Sequence, residues 1–425
     1  MSVSETCSKN ILNTLLHGGR VLDPANGVDG VMDVLLSGGK VAGVGEKLQS
    51  PPGTKAIDAE GLLVTPGLVD IHAHLFVTGG NPEAWAGEYS VYPDNFSFRS
   101  GVTTLVDAGS AGWRNFDFFR TTVLDRAKTR VFSMLNIAGY GMVGDAAEQY
   151  VPDMDPAEAA KTIEKHRDII VAVKTAHYRG PEWVSVDRAL EAGAIAGLPV
   201  MVDFGWFVEE RPWWRLVTEK LRPGDIATHC FRGPVPIADD NGILYPYLQK
   251  ARERGVLFDL GHGGGSFLFR NAAPAIRQGF YPDSVSTDLH VLSMNTAMMD
   301  MPATLSKCMA LGMPLHEAIL RSTRRPASMI GHPELGTLSA GSDADVSLWR
   351  LRKGRFGFKD TTGGRIEGDE RLECEMTILR GEVVWDLNAR DAVDYRELPG
   401  DAGVRPGEFQ GRGPWTHNGG DRGER

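Results

Sequence analysis

Between residues 66 and 333, short apolar runs rich in β-branched side chains alternate with helix-like stretches, and this alternation most narrows the folds open to the chain. The runs are "VDIHAHLF", "GVTTLVDAG", "RVFSMLNIAG", "IIVAVKTAH", "LPVMVDFGW", "DIATHCF", "GVLFDLGHGG" and "DSVSTDLH". Stretches such as "NFDFFRTTVLDRAKT", "PAEAAKTIEKHRDI" and "VSVDRALEAGAIAG" separate most of them. Eight strands in βα alternation have one natural closed solution, a (β/α)8 TIM-like barrel of the α/β class. Residues 10–65 and 334–387 differ in texture: short strands, glycine turns and no helical period. They read as two pieces of one small β-sandwich domain built from both ends of the chain. Residues 388–425, rich in Gly, Arg, Asp and Pro, read as an extended or disordered tail or as an arm on a neighbour.

Active residues of such barrels collect at the C-terminal strand ends. In the first run Asp70, His72 and His74 occupy alternate positions, which a strand sends to one face. The second ends at Asp107, and the fourth brings Lys174, then His177, Tyr178 and Arg179. The fifth brings Asp203, and the sixth His229 followed by Arg232. The seventh gives His262 before Gly263, Gly264 and Gly265, and the eighth gives Asp288 and His290. Singly, each has an ordinary explanation. A histidine in an apolar strand is commonly a satisfied core residue, Lys174 can pair with Asp203 or Asp288, and His262 can cap a turn. Gathered at one rim, imidazoles, carboxylates and a lysine point to a divalent metal, which holds them at least cost. His17, His166, His316, His332 and His417 lie outside the strand ends and are assigned structural roles.

Net charge is −10, which argues against a phosphate-backbone partner; a small-molecule substrate is the expected partner. The four cysteines, Cys7, Cys230, Cys308 and Cys374, form no close pair, as expected of a protein in a reducing cytoplasm. No apolar run approaches the ~18 residues of a membrane span, so no membrane partner is expected. The extended tail makes a homo-oligomer the expected assembly.

The set "TPGLVDIHAHLF", the lysine of "VAVKTAH", "THCF", "GHGGGSF", "STDLH" and "GTLSAGSDADVSLW" resembles the amidohydrolase superfamily, more narrowly its dihydroorotase-like amidohydrolase/deacetylase branch. The resemblance runs from about residue 10 to 387. It implies that His72, His74 and Asp288 bind the more buried metal, and that Asp288 is also the catalytic proton carrier. It implies that Lys174 is N6-carboxylated, its carbamate bridging two metals, and that His229 binds the second. A cationic amine cannot ligate a metal, whereas a carbamate offers two anionic oxygens. Zinc is the implied ion, one or two per chain.

One departure stands out: the family pattern has a histidine where the fifth run ends in Asp203. Asp203 is read as a replacement ligand whose harder oxygen favours Mn2+ or Fe2+ at the second site. Two other readings stay open, an emptied second site and a supporting partner of Lys174 or His229. His262, the N–H groups of Gly263, Gly264 and Gly265, and His177, Tyr178, Arg179 and Arg232 are expected on the substrate side. Trp85, Tyr89, Tyr92, Trp206, Trp213 and Trp214 form either an aromatic lid or a subunit interface. The expected activity is hydrolysis of an amide or ester: an N-acyl amino acid, a cyclic amide or an acyl ester of a hydroxy acid. A metal-dependent lyase or decarboxylase and a non-catalytic assembly protein are the alternatives.

Overall fold

The computed structural model describes residues 13–399 and Ala402. The end regions come together in one mixed sheet. Its first part is β1 (Thr14–Asp23), β2 (Val28–Ser37), β3 (Lys40–Gly45), β4 (Lys55–Asp58) and β5 (Leu63–Pro66). Between β2 and β3 stand only Gly38 and Gly39, both at positive φ (57° and 77°), the backbone a two-residue hairpin requires. Then follow β6 (Leu68–Ala73), β7 (Val102–Gly112), β8 (Arg130–Asn136), β9 (Ile170–Thr175), β10 (Val200–Val202), β11 (Ile226–Ala227) and β12 (Leu257–Phe258). The chain returns to the mixed sheet through β13 (Val346–Lys359), β14 (Arg365–Leu379) and β15 (Glu382–Asp386). The order there is β15-β14-β13-β5-β1-β2-β3, with β4 and β5 parallel to β1. These strands share a core of their own that includes Leu16, Val34, Ile57, Val346 and Met376.

The strands β6 to β12 form a second, all-parallel sheet in strict chain order. One apolar cluster takes one or two side chains from each of β6 to β11, among them Val69, Val106, Met134, Ala172, Met201 and Ile226. The eighth sequence run is no regular strand. Ser284 makes an isolated parallel bridge to Asp259, and Leu289 makes one to Ala73, so this segment bonds to both edges of the seven-stranded sheet. His262 N donates to Ser286 O (3.1 Å) and His74 N to Leu289 O (2.8 Å).

Helices fall where the sequence places them: Phe116–Thr122, Pro156–Lys165 and Val184–Ala196. Asp155 caps the second by accepting from Ala157 N and Glu158 N. The third buries Val186, Ala189, Ala192 and Ala196 at helical spacing and stops at Gly197, whose backbone is left-handed. Arg130, at the start of β8, holds both Asp343 (2.5 Å) and Asp345, which ties the parallel sheet to the segment leading into β13.

Cys230, Cys308 and Cys374 are free and buried, whereas Cys7 lies outside the described residues. No helix among the described residues is long and apolar enough to cross a membrane. One compact unit runs to Asn388, and a second begins at Ala389. In the latter, a 3-10 turn spans Tyr395–Glu397 and is capped by Asp394. Most of the expected tail lies outside the described residues.

Candidate active site

Three of the eight non-glycine residues with positive φ among the described residues are His177, His229 and Asp288, at 56°, 56° and 48°. Such backbone costs ~1–3 kcal/mol each and persists where the surroundings over-determine it. His177 and His229 lie two residues beyond β9 and β11, and Asp288 lies in the eighth run.

His72 is the last residue but one of β6 and His74 follows the strand; both are buried. Their Nε2 atoms lie 3.7 and 3.2 Å from Asp288 Oδ1. The three ligand atoms are within 4.8 Å of one another. The opposite ring nitrogens are held by the protein. His72 Nδ1 is 3.0 Å from Thr228 Oγ1 and 3.3 Å from Asp259 Oδ2, and His74 Nδ1 is 3.0 Å from Ser110 Oγ. Asp259 is fully buried and also accepts from Thr228 Oγ1 at 2.7 Å. An imidazole anchored through Nδ1 presents its Nε2 lone pair, the usual posture of a metal ligand. The donor set therefore fits a divalent cation: two Nε2 atoms and one carboxylate oxygen in a shared pocket.

Electrostatics agree. Burial alone would raise the Asp288 carboxyl, but His72, His74 and His290 outweigh it and hold the pKa well below the usual range. Burial, with Lys174 adding, pulls His72 down to about 4, so its ring is neutral and able to ligate. Lys174 has no exposed surface, and its Nζ is 3.3 Å from His72 Nε2 and 3.4 Å from Met201 Sδ. Burial lowers its pKa against the pull of Asp203 and Asp288, which favours the neutral amine.

A second group adjoins the first, with the rings of His72 and His229 5.0 Å apart. His229 donates from Nδ1 to Gly261 O (2.7 Å), and its Nε2 is 3.3 Å from Asp203 Oδ2. The Nε2 of His177 is also 3.3 Å from that oxygen, while Arg232 Nη1 holds Asp203 Oδ1 at 3.2 Å. Burial would raise Asp203, but His229 and His177 win and keep it ionised.

Asp70 points elsewhere, although it shares the alternation of His72 and His74. Its carboxylate accepts from Thr287 N and Oγ1 and from His72 N, binding the first strand to the eighth run. Burial pushes it up to about 7. Asp107 accepts from Leu75 N, just after β6, and from Ser110 N within β7.

The expected substrate-side residues divide. His262 has no exposed surface; its Nε2 meets Lys307 Nζ at 2.8 Å and its Nδ1 meets Gly263 O at 2.9 Å. That corrects its expected role, because both ring nitrogens are spent inside the protein. Gly263 N donates to Thr287 O (2.9 Å), so this N–H is likewise taken. A Cβ on Gly263 would lie 2.3 Å from Asp288 Oδ2, whereas Gly264 and Gly265 have open space or ordinary contact. Close approach is needed only at Gly263. Tyr178 donates to Glu182, and Arg179 pairs with Asp145 and lies over the Trp206 ring at the exposed rim. Of the aromatic residues, Trp85 stacks on His74 (5.5 Å) and meets His290 (4.4 Å). Trp213 is buried against Tyr247 and Phe258, while Trp206 and Trp214 are exposed.

Glu148 and Lys307 carry no signal of their own in the sequence. Glu148, buried in the helix Asp145–Gln149, meets His177 Nδ1 at 3.0 Å. A polar residue at the end of "GVLFD" was the one available hint of Asp259.

No protein-family model matches the chain. A deacetylase of Agrobacterium fabrum is 34% identical over 362 residues, covering 83% of this chain and 86% of its own. A deacetylase of Brucella anthropi is 31% identical over 366 residues, covering 84% and 88%. Among solved structures, an adenine deaminase superposes with a TM-score of 0.79 at 26% identity over 88% of this chain and all of its own. A dihydroorotase gives 0.77 at 30% identity over 88% and 98%. Likeness sustained along nearly the whole length of relatives in both sequence and fold, with a cation-fitting cluster at the strand ends, places the chain in the amidohydrolase superfamily, within its dihydroorotase-like amidohydrolase/deacetylase branch.

Proposed function

We propose that the protein is a metal-dependent deacylase that hydrolyses the amide of an N-acyl amino acid or the acyl ester of a hydroxy acid, with a cyclic amide as the remaining substrate class. The observation that carries this is the meeting of His72 Nε2, His74 Nε2 and Asp288 Oδ1. Relatives named deacetylases support the acyl-group reading. The proposal takes residues 66–333 as a complete (β/α)8 barrel and 10–65 with 334–387 as the small domain. Zinc is the resident ion, Lys174 carries a carboxylate, and His229 with Asp203 faces a second ion. Three free, buried cysteines suit a cytoplasmic enzyme.

A divalent ion held by His72, His74 and Asp288 would supply an acidified water, its pKa lowered from 15.7 toward about 7, and a Lewis acid for a carbonyl oxygen. Asp288, ionised at neutral pH, accepts the attacking water's proton and returns it to the leaving nitrogen or oxygen. His290, with Nε2 4.0 Å from Asp288 Oδ2, faces the same carboxylate. Gly263 leaves that oxygen room to move the proton. Trp85 walls the site beside His74 and His290 and keeps bulk water from it. Lys174, whose pKa burial lowers, would add CO2 at Nζ with release of one proton, giving a carbamate next to His72.

The test is an acyl-substrate panel run in 18O-labelled water. Hydrolysis places label in the new carboxylate; a lyase or decarboxylase on the same residues leaves products unlabelled, and that outcome would overturn the proposal.

A further inference from the structure

We propose that the turn between β13 and β14 is a positioning element of the active site: through Asp360 and Thr361 it grips the chain at Phe267 and Phe269 and so sets Gly263 against Asp288. This rests on the hydrolase reading above and goes beyond it, since that reading gives the returning strands no part in the reaction.

The two strands, of 14 and 15 residues, are longer than the mixed sheet needs. Residues 346–349 of β13 pair with β5, and residues 376–379 of β14 pair with β15. The remainder runs on as a two-stranded arm, which is marginal in water unless it packs on something. It packs on the helix Met301–Ala310. Phe358, Leu372 and Cys374 join the apolar cluster of Leu305 and Cys308, and Leu372 N donates to Ser306 Oγ at 3.0 Å. The next residue of that helix, Lys307, is the one that meets His262.

The tip of the arm reaches the segment after the glycine loop. Asp360 is buried, and its Oδ2 accepts from Phe269 N at 3.0 Å. Phe269 opens the helix Phe269–Arg277, whose N-cap residue, Leu268, has no side-chain acceptor to offer. Asp360 supplies that acceptor from 91 residues away. Its Oδ1 accepts from Thr362 N and Gly364 N (2.9 and 2.7 Å), which fixes the turn. Thr361 donates to Phe267 O from N (3.2 Å) and from Oγ1 (3.0 Å). Ser266 N donates to His262 O at 3.2 Å, closing residues 262–266 into one turn, and the Phe267 ring meets that of His262. The loop that carries Gly263 is therefore held by Lys307 on one side and by Asp360 and Thr361 on the other. Its approach to Asp288 Oδ2 is too close for a Cβ, so small shifts of the loop reach the carboxylate directly. Misplacement of about 1 Å by a distant change can cost 10²-fold in rate.

The test compares kcat, KM and amide hydrogen exchange in full-length, zinc-loaded protein, with circular dichroism as the fold control. Asp360→Ala should lower kcat by about 10–100-fold with KM little changed, and exchange across residues 261–269 should become faster. Asp360→Asn keeps an oxygen for the turn and loses the acceptor of Phe269 N, so its loss should be smaller; it carries the same comparison if Asp360→Ala does not fold. Arg355→Ala, which breaks an exposed ion pair with Glu367 in the same arm, should match wild type. Asp360→Ala combined with Gly263→Ala should lose hardly more kcat than the worse single change, because both disturb one approach. Faster exchange with unchanged kcat, losses that multiply in the double variant, or a loss carried by KM alone would each overturn the inference and leave the hydrolase reading standing. Wild type without metal-dependent hydrolysis would remove both.

Discussion

The imidazole of His72 touches Thr228 and Asp259 through Nδ1 and Lys174 through Nε2, so one side chain joins groups from four strand ends. His72→Ala is expected to abolish measurable turnover and release the ion while far-UV circular dichroism stays native; substantial activity at full metal content would contradict its role. Asp259→Asn removes the charge behind that ring and should weaken zinc binding by about 10–100-fold in a competitive chelator titration. His262 gives a pH prediction. Burial, with Lys307 adding, pulls its pKa from the usual 6.5 to about 3, so the folded state keeps the ring neutral. A depressed basic group contributes stability that is present above pH 6.5 and lost as the pH falls toward 3, because the unfolded chain binds the proton first. The melting-temperature advantage of wild type over His262→Gln should therefore shrink between pH 6.5 and pH 4; a constant difference would show that the ring is protonated in the fold.

Among the elements, the loop after β12 carries the tightest constraint. Gly263→Ala puts a Cβ 2.3 Å from Asp288 Oδ2 on a backbone at φ +52°. A loss of about 1–3 kcal/mol of stability is expected in urea unfolding, together with a fall in kcat; unchanged kcat would mean that Asp288 does not depend on this approach. Much of this level was legible in the sequence. The β-rich runs and the helices at Phe116–Thr122, Pro156–Lys165 and Val184–Ala196 follow from apolar period and glycine turns, whereas the two chain ends, expected as a β-sandwich, join their strands in one mixed sheet. The meeting of His72, His74 and Asp288 was legible too, because polar groups ending apolar runs need a reason. The roles of Asp70 and His262 were not. Alternation told that Asp70 shares a face with His72 but not that Thr287 would claim its oxygens. Lys307 sits on a helix with hardly an exposed residue, and only the packed structure reveals that it points at His262. Glu148 and Asp259 gain meaning only across strands, through partners 29 and 187 residues away.

For the whole molecule, the account turns on distant segments closing around one cation. Asp288 belongs to the run that bonds to both edges of the parallel sheet, so the site and the union of those edges depend on each other. Asp203→His is expected to shift metal preference toward zinc with the fold kept, as read by competition between Zn2+ and Mn2+; identical metal preference and kinetics would place Asp203 away from any ion. The most direct test is a titration: protein stripped of metal with a chelator, zinc returned in measured equivalents, and hydrolysis of an N-acyl amino acid or acyl ester followed at each step. No turnover in the stripped protein, and a rise in proportion to ion bound until the site fills, is the result predicted. Full turnover without metal would contradict it.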